Sequence, residues 1–184
     1  MRLVLASKNE NKLRELRAAL PGWEIDLVQA PDEPVEDGSN FHENARIKAL
    51  HGRPHAPHDA WVAGEDAGIE VDALEGRPGI HSARWDEHPV ERLLEELGET
   101  HDRGARYICE LVAIGPDGSE EHARGVLEGR VAEEPRGSEG FGYDPIFVPA
   151  GESATVAELG DVWKAVHSHR ARAARTLARA LSCG

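Results

Sequence analysis

Two long strand-like runs place the strongest constraint on the fold. Arg106–Gly115 and Glu120–Val131 meet through Gly115-Pro116-Asp117-Gly118, a turn sequence that folds one run back on the other as a hairpin. Upstream, strands and helices alternate. Arg2–Ala6 is a short apolar strand, and Asn11–Leu20 carries Leu13, Leu16 and Leu20 at helical spacing before Pro21-Gly22 ends it. Trp23–Val28 reads as a second strand and Pro31–Asn40 as an acidic loop. A second helix spans Phe41–His51, with Asn40 and Glu43 set as a capping box. Gly52–Ala60 is a loop with two prolines, and Trp61–Ala63 and Ile69–Leu74 read as short strands around Gly64-Glu65-Asp66-Ala67-Gly68. Downstream, Pro89–Leu97 is helical, Gly137–Gly142 is glycine-rich, Tyr143–Val148 is apolar, and Asp161–Leu181 reads as one long terminal helix. Alternation in the first half with a hairpin in the middle predicts an α/β, mixed α+β, fold.

A length of 184 residues fits one domain of ordinary size, with a core that holds without staples. The two cysteines, Cys109 and Cys183, are far apart and in no paired motif, which points to a reducing compartment. The apolar start, Leu3–Ala6, gives way at once to Ser7-Lys8-Asn9, too short for a signal peptide, and no run approaches a membrane span. A cytoplasmic protein without membrane contact is the expectation. The net charge of −13 repels nucleic acid phosphates, so a general nucleic-acid binder is not expected. A small anionic ligand remains compatible if cations are concentrated where it binds. Only Lys8, Lys12, Lys48 and Lys164 are lysines, and the other 17 of the 21 basic residues are arginines. Lysine offers a compact charge suited to a phosphate oxygen. The count alone is equally what compositional drift would leave.

Four constellations have chemistry to offer. Ser7-Lys8-Asn9-Glu10-Asn11-Lys12 lies between a strand and a helix, where backbone N–H groups attract anions, although Ser7 and Asn11 also fit plain helix caps. Glu36-Asp37, Glu43 and Glu65-Asp66 are oxygen donors of the kind magnesium takes, set among 34 acidic residues that are mostly solvated surface. Gly140-Phe141-Gly142-Tyr143-Asp144-Pro145 would make a stacking platform for a nucleobase in a chain with 5% aromatics, or a strand entry with Phe141 in the core. Lys164 with His167-Ser168-His169-Arg170 suits an anion or a purine edge, or an exposed basic helix face. His51, His55 and His58 span a Pro-rich segment without a cysteine, so no zinc site is expected there.

In order along nearly the whole chain, these segments resemble the inosine triphosphate pyrophosphatase family. Ser7-x-Asn9-x-x-Lys12 is similar to its N-terminal phosphate segment. Glu36-Asp37-Gly38 through Phe41-His42-Glu43-Asn44-Ala45 and Lys48 resembles its second block. Glu65-Asp66-Ala67-Gly68-Ile69 followed by Pro78-Gly79-Ile80-His81-Ser82-Ala83-Arg84 resembles the third. Gly140–Pro145 and Lys164 with Ser168-His169-Arg170 resemble the closing blocks. Lys12, Lys48 and Lys164 fall on family lysine positions, which overturns compositional drift. Three residues depart from the pattern: Lys8 for glycine, Glu65 for aspartate and Ala67 for serine.

The resemblance implies an elongated central mixed sheet flanked by helices, with the active-site cleft between two lobes of a single domain over residues 1–184. It implies hydrolysis of non-standard purine nucleoside triphosphates (inosine, deoxyinosine and xanthosine) to the monophosphate and pyrophosphate, with Mg2+ as cofactor and a homodimer as the assembly. Asp66, Lys48 and Glu65 are the catalytic candidates, and Glu36 with Asp66 the metal ligands. Ser7, Asn9, Lys12 and Lys48 fall to the substrate's phosphates, Phe141 to stacking on the base, and Tyr143, Asp144, Lys164, His169 and Arg170 to the base pocket. Lys8, Ala67, Gly142 and Ser168 are further substrate-binding candidates. The rival readings are a non-catalytic nucleotide sensor, a pyrophosphatase of modified pyrimidine nucleotides, and a triphosphatase releasing orthophosphate.

Overall fold

The computed structural model describes residues 1–183, and the side chain of Cys183 lies outside the described residues. In chain order the elements are β1 (Arg2–Leu5), α1 (Glu10–Ala19), β2 (Glu24–Leu27), α2 (Phe41–Gly52), β3 (Trp61–Val71), α3 (Pro89–Leu97), β4 (Gly104–Ile114), β5 (Glu120–Val131), β6 (Phe147–Pro149), α4 (Val156–His167) and α5 (His169–Cys183). The strands form one six-stranded sheet in the order β2-β1-β3-β4-β5-β6. β1 pairs in parallel with β2 and β3, and the β3-β4-β5-β6 run is antiparallel. This is the mixed sheet flanked by helices that the family resemblance implies. Among the described residues, no helix is long and apolar enough to cross a membrane.

Two expectations need correction. The two short strands around Gly64–Gly68 are one strand, registered against β4 from Val62↔Ile114 to Val71↔Ala105 without a break. Helices cover both faces of β3, so a central pair of charges does not mark a loop; buried partners meet each charge instead. Side chains alternate along a strand, so Glu65 and Asp66 leave it on opposite faces. The single terminal helix is two. Thr155 opens α4 through a capping box with Glu158, five residues ahead of the expected start. Gly160, at φ 80°, interrupts α4, and Ser168 is extended and ends it. The Ser168 hydroxyl then caps α5, accepting from the Ala171 N–H at 3.1 Å. Alanine runs through both helices and α5 adds arginine, so periodicity does not register the break.

Glycine lets helices approach this sheet closely. A Cβ at Gly64 would lie 1.9 Å from the Ala45 carbonyl oxygen of α2, and one at Gly125 would lie 2.0 Å from the His169 carbonyl oxygen of α5. Under α2, Ala45 and Ala49 pack on Val112 and Ile114. On the other face, Leu13, Leu16 and Leu177 pack with Cys109, Leu111 and Ala123. Gly64→Ala should lower the unfolding free energy by about 1–3 kcal/mol through overpacking. The check is the urea midpoint, and an unchanged midpoint would mean that α2 does not sit this close. A further apolar cluster joins Ile69, Val71, Leu93, Leu97, Leu127, Ile146 and Phe147 around the far ends of β3–β5. It packs α3, β6 and the start of α4, while α1, α2 and α5 gather at the other end.

Candidate active site

Between these two groups of elements opens a cleft of about 550 Å³. The β1–α1 turn brings Ser7, Lys8, Asn9 and Lys12 to it, the loop before α2 brings Glu36, α2 brings Lys48, and β3 brings Asp66 and Ala67. Phe141, Gly142, Tyr143 and Asp144 line it as well, with Lys164 of α4 and His169 and Arg170 of α5. Two candidates stand elsewhere. Ser168 is buried as the α5 cap, and Glu65 lies fully buried beneath the cleft.

The β1–α1 turn is shaped by its own side chains. Asn9, rather than Ser7 or Asn11, is the helix cap; its Oδ1 accepts from the N–H groups of Asn11 at 2.9 Å and Lys12 at 3.2 Å. The Ser7 Oγ accepts from the Asn9 N–H at 3.1 Å. The turn therefore presents a helix N-terminus, Lys8 and Lys12 to the cleft.

On the α2 face of β3, Lys48 is the hub. Its Nζ lies 2.8 Å from Asp66 Oδ1, 2.8 Å from Glu36 Oε2 and 3.2 Å from the Glu65 carbonyl oxygen. Lys48 thus meets the backbone of Glu65 and not its carboxylate. The Asn44 amide donates to Asp66 Oδ2 at 3.3 Å, and Arg84 lies 3.3 Å from Glu36 Oε1. Burial opposes the charge on Lys48, yet Asp66 and then Glu36 hold its pKa above the ordinary lysine value. Burial outweighs Lys48 at Asp66 and raises that carboxyl above the ordinary aspartate value.

On the other face, charges alternate in an unbroken buried chain. Lys12 Nζ lies 3.0 Å from Glu65 Oε2, and Arg170 donates to Glu65 Oε1 at 3.0 Å from Nη2 and 3.3 Å from Nε. Arg170 Nη1 pairs with Glu15, Glu15 pairs with Lys164, and Lys164 Nζ lies 2.7 Å from Asp144 Oδ2. Asp144 also accepts from the Phe141 N–H at 2.9 Å and the Tyr107 hydroxyl at 3.2 Å. Burial works against ionisation of Glu65, but Arg170 and then Lys12 hold its carboxyl well below the usual range. Glu15 is lowered too, by Arg170 and Lys164 against burial.

Around Phe141, Lys164 Nζ and the Arg170 guanidinium lie 4.9 and 5.5 Å from the ring centroid. His169 stacks on Tyr107 with centroids 4.6 Å apart, and its Nδ1 is buried without a partner among the described residues. The Tyr143 hydroxyl donates to the Ser82 carbonyl at 3.1 Å, so it pins the loop that carries Phe141. Burial first, and Arg170 next, hold the His169 imidazole neutral, well below its ordinary pKa. A depressed histidine binds its proton more readily unfolded. Its contribution to stability is complete above about pH 6.5 and is lost as pH falls from there toward the folded pKa. Urea midpoints should therefore fall between pH 7.5 and 5.5, and His169→Gln should flatten that slope. An equal slope in the variant would assign it to other groups.

Sequence reasoning missed Glu15, Asn44, Arg84 and Tyr107. Glu15 had a signal, since it sits three residues after Lys12 on the same helix face. Asn44 and Arg84 stand inside quoted motifs, and Tyr107 reads only as a strand residue.

The Ham1 family model matches residues 3–180. A protein of Symbiobacterium thermophilum named dITP/XTP pyrophosphatase is 49% identical, covering 97% of this chain and 94% of its own. One of Gloeobacter violaceus with the same name is 44% identical, covering 99% and 95%. The Ham1 protein of Staphylococcus aureus superposes with a TM-score of 0.86 at 35% identity, over 100% of this chain and 99% of that one. With the family model spanning nearly the whole chain, and the motif order and the fold in agreement with it, this chain belongs to the Ham1 family.

Proposed function

We propose that the protein hydrolyses non-standard purine nucleoside triphosphates (ITP, dITP and XTP) to the monophosphate and pyrophosphate. The observation that carries this reading is the content of a single cleft. It gathers Lys8, Lys12, Lys48 and a helix N-terminus beside two carboxylates, and it also holds Phe141 among Asp144, Lys164, His169 and Arg170. A triphosphate needs the first set and a purine the second. The name shared by the similar proteins of S. thermophilum and G. violaceus points the same way.

Glu36 and Asp66 fit a hard divalent cation. Both reach the same ammonium at 2.8 Å, so one small ion could meet both, and an all-oxygen pair completed by water and phosphate is the set magnesium takes. When bound, Mg2+ would neutralise charge on the triphosphate and polarise the reacting phosphoryl group. The chain's own residues do the rest. Asp66, with its raised pKa, orients the water that attacks the α-phosphorus and accepts its proton. Lys48 and Asn44 fix that carboxylate. Ser7, Lys8, Asn9 and Lys12 hold the phosphates, and pyrophosphate leaves. Glu65 acts as a positioning residue, tying Lys12 and Arg170 beneath the cleft.

At the base end, Arg170 and neutral His169 are the donors for a six-keto oxygen. Adenine carries an amino donor there, and the unpaired polar groups would cost about 1–3 kcal/mol. Phe141→Ala should raise KM for every purine substrate by about tenfold or more while kcat holds, since stacking carries no transition-state charge. Unchanged KM values would remove Phe141 from the base site.

Product analysis with Mg2+ over ITP, dITP, XTP, ATP, GTP and a modified pyrimidine triphosphate tests the whole reading. Monophosphate and pyrophosphate from the first three are expected. Orthophosphate as product, preference for the pyrimidine, or tight binding without turnover would each replace it.

A further inference from the structure

We propose that His42, Glu110 and His122 form a second metal site, outside the cleft, that takes a transition-metal ion of the zinc type. His42 stands in the first turn of α2, Glu110 in β4 and His122 in β5, so three separate elements converge. One candidate ligand atom from each lies within 4.8 Å of the other two. Glu110 is buried, and its Oε2 already contacts His122 Nε2, while Arg124 Nε lies 3.4 Å from the other carboxylate oxygen. The two imidazole rings meet edge to face, with centroids 4.5 Å apart at 85°. The His42 Nδ1 is buried and has no hydrogen-bond partner among the described residues. A buried imidazole nitrogen with nothing to bond, next to a carboxylate and a second imidazole, is an incomplete polar cluster that a cation would complete.

The donor chemistry selects the ion. Two imidazole nitrogens and one carboxylate oxygen suit zinc and its neighbours, whereas magnesium prefers oxygen alone. In a tetrahedral zinc site, with bonds of about 2.0–2.1 Å, ligand atoms sit roughly 3.4 Å apart. Moderate rotation of side chains closes the present spacing, and His122, with 44% of its side chain exposed, is free to turn. Water would take the fourth position. The site is therefore chemically distinct from the oxygen pair Glu36 and Asp66.

Its location gives it a consequence. An ion there clips the first turn of α2 to the β4–β5 hairpin. The same helix carries Asn44 and Lys48, both bonded to Asp66, and Asp66 is the register partner of Glu110. Occupancy would stiffen the support of the carboxylate without touching substrate.

The test is isothermal titration of the full chain with zinc alone as probe, in excess Mg2+ so that the oxygen pair is saturated. One equivalent should bind, and the melting temperature should rise by roughly 5–10 °C at a hundredfold excess over Kd. Cobalt should give the visible absorption of a tetrahedral site. His122→Ala and His42→Ala should each weaken binding by at least about tenfold and remove the cobalt band, while His101→Ala, in an exposed turn, should leave both unchanged. Melting in EDTA reports whether each variant folds, and His122→Gln replaces His122→Ala if that one does not. Absence of zinc binding would overturn the proposal, and so would binding that both histidine variants leave intact. Binding abolished by Asp66→Asn instead would place the ion in the cleft and equally overturn it.

Discussion

Asp66→Asn should reduce kcat by about 10³–10⁴-fold while leaving the protein folded and able to bind triphosphate. Asparagine has the same shape as aspartate, so the space beside Asn44 and Lys48 stays filled. It lacks the negative charge that holds a divalent ion and the basic oxygen that accepts a proton from water. The fold should tolerate the change, because burial already penalises the ionised form of Asp66. Lys48 keeps Glu36 and the Glu65 carbonyl as partners. The melting temperature should then hold steady or rise slightly, which separates loss of chemistry from loss of structure. Lysines 8, 12 and 48 remain to bind phosphate, so nucleotide affinity should change far less than turnover. Pyrophosphate release with titrated substrate reads the first quantity, and calorimetric binding reads the second. Turnover within tenfold of the parent would take Asp66 out of the mechanism.

How much of this was legible beforehand depends on the range of the interaction. The hairpin of β4 and β5, helices α1 and α2, and the phosphate turn are local patterns, and the sequence shows them within a residue or two. β3 reads as two short strands because its central charges look like a loop when the partners that bury them are unseen. Lys48 lies 18 positions before Asp66, and Arg170 lies 105 positions after Glu65. Spacing cannot reveal pairs so distant. The family resemblance brought most of the same residues together without geometry and named both Glu65 and Asp66 as catalytic candidates, with Asp66 as the metal ligand. Strand alternation in β3 puts the two carboxylates on opposite faces, and of the two only Asp66 lines the cleft. The α4–α5 break at Ser168 was invisible for the opposite reason: both sides of it are good helix sequence.

Glu65→Gln should lower stability by about 3–5 kcal/mol, the cost of removing one partner from buried ion pairs. Glu65 is fully buried and sits between two cations, Lys12 and Arg170. Glutamine fills the same volume but leaves Arg170 with Glu15 as its remaining carboxylate and Lys12 with none among the described residues. For a chain of this length the melting temperature should fall by roughly 6–20 °C. Glu65→Asp keeps the charge but shortens the reach by one methylene, so it should fall between the parent and Glu65→Gln. The pH dependence has a definite sign. The folded carboxyl of Glu65 is held below its ordinary value, so its contribution is present above about pH 4.5 and is lost as pH falls through the folded pKa. The gap in urea midpoint between parent and Glu65→Gln should therefore be widest near neutral pH and narrow in acid. Pairing Glu65→Gln with Arg170→Met should cost less than the two losses added, because the second change removes a cation that the first leaves short of a partner. Strict additivity would mean that Glu65 and Arg170 contribute independently, and the alternating chain beneath the cleft would then be a set of separate contacts.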